Sequence, residues 1–169
     1  ATPPSIESKP LDAQNKSGSI ASKETIRNLA EDQVTCLEKS GHSSVIRTNT
    51  GALINYHAKG LTPGETYLIY VLVENFDENC FPDFSGGFFS YIDAVSLGEK
   101  TANSAGHLNL NTFLANGDNT NSWYGPLGYG MVNSKQANLS VFTRIGPPFT
   151  GIDVQVSPHA ICPSFIGCS

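Results

Sequence analysis

Four histidines, four cysteines and a few loop carboxylates are the side chains whose types could do chemistry in this sequence. His42, His57, His107 and His159 lie far apart, with no HxH, HExxH or His–carboxylate spacing that would assemble a metal site locally. His57 and His107 fall on the polar faces of predicted strands. They read as surface side chains, able to meet only if those strands are neighbours. The serines offer no GxSxG elbow, and Ser85, in the stretch DFSGGF, reads as part of a flexible loop. No pair of carboxylates stands out for glycosidase-type acid/base work. Asp77, Glu78 and Asp83, joined by Asp93, could gather around Ca2+, which takes oxygen ligands from flexible loops. Their spacing is not that of an EF-hand, and as solvated loop acids they need no ion. No catalytic residue, metal-ligand set or cofactor is therefore assigned, and an enzyme is not expected.

Cysteine use points to export. Cys36, Cys80, Cys162 and Cys168 are even in number and contain no CxxC pair, so two disulfides are expected rather than a zinc or redox site. Of the three pairings, Cys36–Cys80 with a small C-terminal loop closed by Cys162–Cys168 is the one expected. An even count also removes the free thiol that cysteine catalysis would need. The sequence opens at Ala1 without Met and has no apolar run near the ~20 residues that span a bilayer, which reads as a mature chain freed of its signal peptide. Charged residues are 15% of the chain, against about 25% for a typical soluble domain. Asn, Ser, Thr and Gly replace them, giving a hydrogen-bonding surface suited to extracellular β proteins. With a net charge of −5 and no Lys/Arg run, a nucleic-acid partner is not expected.

The elements that would position these residues are strands. Residues 1–25 hold three prolines and few large apolar side chains, and read as a polar tail. Residues 26–169 form the domain. Within it, Ile26, Leu29, Ala30, Val34 and Leu37 have near-helical spacing, predicting one short helix with Ser22 as its cap and Gly41 as its stop; a strand through Val34–Leu37 competes. From residue 43 onward the pattern alternates. SSVIRTNT and ALINYHAKG meet at Asn49-Thr50-Gly51, and Leu61-Thr62-Pro63-Gly64 is a type II turn. TYLIYVLVEN follows, apolar on both faces as a central, doubly covered strand should be. YIDAVSLGEKT, GHLNLNTFLANGD, ANLSVFTRIG and TGIDVQVSP complete an antiparallel β-sandwich of about seven or more strands.

Three segments within this frame form a pattern: Gly60–Tyr67 (GLTPGETY), Leu114–Asp118 (LANGD) and Arg144–Pro147 (RIGP), with a late cysteine pair. Together they resemble a largely uncharacterised family of secreted all-β proteins over about residues 45–168. Members often place Trp soon after the tyrosine and His before the final Gly-Pro. Here Leu68-Ile69-Tyr70 and Ile145 stand at those places, so a role tied to that histidine does not carry over. The resemblance implies a β-sandwich and an exported location, and it supplies no catalytic residue.

The remaining signal lies in the loops and the tail. Phe81, Phe84, Phe88, Phe89 and Tyr91 are dense for one connection, as are Trp123, Tyr124 and Tyr129 for another. Loop aromatics pack over a sheet, contact other subunits, or stack on sugar rings. Sequons at Asn15 and Asn138 are candidate glycan acceptors, the second inside a predicted strand. The expected function is structural: a subunit of an extracellular fibre or surface layer. It would self-associate into a homopolymer through aromatic-loop contacts and strand addition by the tail, with Ile6, Leu11 or Ile20 entering a neighbour's pockets. The alternative is a secreted binding module for glycan or a surface protein, using Phe84, Phe88, Phe89, Trp123, Tyr124 and Tyr129. No membrane insertion is expected.

Overall fold

A computed structural model describes residues 18–168. The chain is all-β and antiparallel, with strands β1 (Ile20–Leu29), β2 (Cys36–Arg47), β3 (Gly51–Ala58), β4 (Thr66–Asn75), β5 (Ile92–Thr101), β6 (Leu108–Ala115), β7 (Ala137–Ile145) and β8 (Ile152–His159). One helical turn, α1 (Phe88–Tyr91), precedes β5. The strands form a single sheet in the order β5-β4-β7-β8-β1-β2-β3-β6. Its two terminal strands curl round until β5 approaches β6, so the body is barrel-like rather than two separate layers.

Alternation decides which side chains fill the barrel. Ile54 and Tyr56 of β3, Ile69, Val71 and Val73 of β4, and Leu139 and Val141 of β7 are fully buried in one core. A second, smaller cluster lies outside the barrel on the β4–β7–β8 face, where Tyr70, Phe142 and Val156 pack under the C-terminal segment with Cys168 and Ile166. That outer cover explains why β4 is apolar on both faces. The turn before β4 has its expected form: Pro63 and Gly64 occupy the central positions, Gly64 has φ +81°, and Glu65 N donates to Thr62 O at 3.1 Å.

The helix expected between 26 and 38 is absent. β1 runs to Leu29, β2 starts at Cys36, and a hairpin turn joins them. Asp32 organises it: its Oδ1 accepts from the backbone N–H of Val34 and Thr35, both at 2.8 Å, and Gln33 takes φ 62°. The near-helical spacing was accidental, since Val34 and Leu37 are 76% and 41% exposed. The tail boundary also shifts. Residues 20–25 belong to β1, with Ile20 opposite Arg47 on β2. Ile6, Leu11 and Asn15 lie outside the described residues.

Two disulfides form, paired differently from expectation: Cys36–Cys168 and Cys80–Cys162. Both tie the C-terminal segment to the barrel. Asn138 on β7 helps, since its Oδ1 accepts from the N–H groups of Ile161 and Cys162 and its Nδ2 donates to Cys162 O. At 1% exposure, with its amide so committed, Asn138 is not a surface acceptor for glycan in the folded chain.

Candidate functional site

One end of the barrel collects the loops that carry the aromatics. There the 76–91 connection follows β4 and the 116–136 connection follows β6. Phe84 packs on Tyr91 at 5.0 Å between ring centroids, and Phe88 lies edge-on to Phe89. Phe89 in turn meets Tyr124 at 4.2 Å, joining the two loops. Tyr129 joins them again: an added Cβ at Gly86 would collide with its ring, so that glycine permits the close approach. Phe81, Phe84, Phe88, Leu127 and Tyr129 remain exposed.

Trp123 is built in rather than presented. Its backbone N–H donates to Ala94 O, extending the sheet edge beside β5, and its indole N–H donates to Ser96 Oγ. Tyr70 lies 4.4 Å from its ring, the Arg144 guanidinium 5.2 Å away, and Phe149 meets it edge-on. Arg144 is itself fixed by Asp153 at 2.6 Å, and the Tyr70 hydroxyl donates to the same carboxylate. Trp123 and Tyr124 therefore hold the loop to the barrel. Of the six aromatics considered for contact, Tyr129 alone lines the open groove of about 530 Å³ formed by Asn116, Asn119, Pro126 and Val132.

The loop acids have separate duties. Asp77 Oδ1 accepts from Asn79 N and Phe81 N, and Asp83 Oδ1 from Ser85 N and Oγ. Asp77, Glu78 and Asp83 line one shallow groove. Asp93 is fully buried under the other loop, accepting from Ser122 Oγ and Gly130 N, and burial raises its carboxyl above the usual range. Among the described residues no three His, Cys, Asp or Glu side chains gather as a metal site.

Sequence reading missed two histidine arrangements. His159, at the end of β8, lies inside the barrel with a serine on each ring nitrogen: Ser22 Oγ at 2.7 Å and Ser43 Oγ at 2.6 Å. Ser43 and His159 are 0% and 1% exposed, and the trio ties β1, β2 and β8 together. Burial, reinforced by the charge of Arg47, pushes the imidazole down to about 3. The unfolded chain takes that proton near 6.5. Between these values the unfolded state binds more protons, so stability present above pH 6.5 is lost as pH falls. The contribution is about 2 kcal/mol between pH 7 and pH 5. Glu74 and Asp93, both raised by burial, act with the opposite sign. The direct check is an NMR titration, in which the folded His159 resonance should stay unprotonated from pH 7 to pH 5; movement in that range contradicts the assignment.

The second arrangement is on the outer face. His57 does not meet His107. Its cross-strand partner is His42, ring centroids 5.1 Å apart, and its Nδ1 bonds Asn109 Oδ1 on β6 at 2.7 Å. Counting residues outward from the Asn49-Thr50-Gly51 turn would have paired them.

Fold and site together define a disulfide-linked, all-β barrel domain with an aromatic loop end. No protein-family model and no curated protein sequence matches the chain.

Proposed function

We propose that this is an exported, non-enzymatic structural protein that assembles head to tail. One observation carries the reading: the chain enters the barrel at the end where the exposed aromatics lie. Gly18 O accepts from Lys135 Nζ, which also bonds Asn49, and Asn116 beside it lines the Tyr129 groove. Gly18, the first described residue, thus lies at the loop end of the barrel that carries Tyr129. The two disulfides require an oxidising compartment, which suits secretion. Among the described residues β6 is hydrogen-bonded to a strand on one side only, and the seam where it approaches β5 is the edge that an added strand would enter. Ile20 already belongs to β1, so the donor is residues 4–11, with Ile6 and Leu11 as its anchors. Such contacts do not close on themselves and propagate as filaments.

Electron microscopy at rising concentration tests this. The full chain should form filaments, and a chain lacking residues 1–17, which leaves β1 whole, should stay monodisperse. A full chain that is monodisperse at every concentration rules the reading out. The second reading, a glycan-binding module, rests on the groove where Tyr129 is flanked by Asn116 and Asn119. It differs in one readout, glycan-array binding by a protein that does not assemble.

A further inference from the structure

The outer face of β1–β2–β3–β6 carries a cationic surface that no stretch of sequence reveals. The described chain has eight Lys and Arg side chains, of which Arg47, Lys135 and Arg144 are buried. Of the other five, Lys23, Arg27, Lys39 and Lys59 belong to β1, β2 and the end of β3, and only Lys100 lies elsewhere, on β5. The cross-strand register shows how this arises. One row across the sheet reads Lys23, Ser44, Asn55, Asn111, and the next reads Thr25, His42, His57, Asn109. Neither row contains a carboxylate. Glu24, between the two β1 positions, alternates to the opposite side with Ser43. Lys23 and Lys59 are close enough to His42 that their charges, after burial and His57, depress its proton affinity. The following row, Ala21, Ile46, Leu53, Phe113, is apolar, with Phe113 49% exposed.

We propose that this face binds an acidic polysaccharide. Lys23, Lys59, His42 and His57 meet its carboxylates or sulfates. Asn55, Asn109 and Asn111 bond its hydroxyls, and Phe113 takes the apolar face of a sugar ring. The cations span three neighbouring strands, roughly 10 Å at strand spacing, which fits a repeating polymer rather than one small anion. An oxidising compartment and the asparagine-rich rows favour a glycan over a nucleic acid, whose single strands call for stacked aromatics among the cations. The charges acting on His42 are those of Lys23 on β1 and Lys59 after β3, beside the neighbouring imidazole of His57, while the β2 carboxylate Glu38 accepts from Asn28 Nδ2. The proposal does not depend on assembly, and the site is on a different face from the Tyr129 groove.

The test measures binding of the full chain to polygalacturonate and to heparin, with dextran, duplex DNA and phosphatidylserine vesicles as comparisons. Binding to an acidic polysaccharide should weaken with salt and fall roughly tenfold in Lys23→Ala/Lys59→Ala. Lys100→Ala should bind as the wild type does, and both variants should keep the wild-type melting temperature. Absence of binding to both polysaccharides, equal binding to dextran, DNA or vesicles, or an unaffected Lys23→Ala/Lys59→Ala variant each overturns the proposal.

Discussion

Replacing Arg47 by methionine is expected to destabilise the fold by about 3–5 kcal/mol, measured by urea unfolding. Arg47 is 1% exposed on β2, and its partners are backbone carbonyls: Nη1 donates to Ser134 O and Ala137 O, and Nη2 donates to His159 O at 2.9 Å. Burial lowers the guanidinium to about 10, so it stays protonated at neutral pH. Two effects compete in the variant. Methionine removes a buried charge, which relieves a desolvation cost. It also takes the guanidinium donors from three buried carbonyls, at about 1–3 kcal/mol for each one left unsatisfied. The second wins because main-chain acceptors cannot be substituted away with their partner. Methionine nearly conserves volume, so the loss is not that of a cavity. A loss under about 1 kcal/mol would mean that water replaces the guanidinium and that Arg47 does not lock the start of β7 to the end of β8.

Removing the Cys36–Cys168 bridge as a double alanine variant is expected to cost about 3–5 kcal/mol and lower the melting temperature by about 10 °C. The bridge joins residues 132 apart, so it restricts the unfolded chain strongly. The effect should also be local. Cys168 packs with Tyr70, Phe142 and Val156, and its release uncovers that outer cluster. Ile161 and Cys162 remain held by Asn138 and by Cys80–Cys162. Hydrogen exchange should therefore show lost protection at 165–168 with protection kept at 161 and 162. Wild-type melting under both oxidising and reducing conditions would show that the bridges contribute no stability.

Much of the strand content was legible because it is written locally. A strand with one buried face must alternate, and β3 and β6 do so with Ile54 and Tyr56 or Leu108 and Leu110 inward. A Pro-Gly turn must place Gly where φ is positive, and Gly64 is there. Sequence reading failed where a short apolar spacing fits two periods. Ile26 to Leu37 matched a helix only because the hairpin turn at Asp32 happens to fall between two strand ends. The charged face was illegible for a different reason. Lys23, His42, His57 and Lys59 come from three strands, and their common side depends on register.

By itself the sequence determined an all-β antiparallel chain, two cystine bridges, a doubly covered β4 and two aromatic loops, because propensity, alternation and turn chemistry act over a few residues. Tertiary structure alone decided that Cys36 meets Cys168, that Trp123 is packed while Tyr129 faces a groove, and that Arg47 and His159 lie inside the barrel. It also decided that the cations share one face. These outcomes depend on which strands become neighbours and on how the sheet closes, and those are set by packing between segments as much as 137 residues apart.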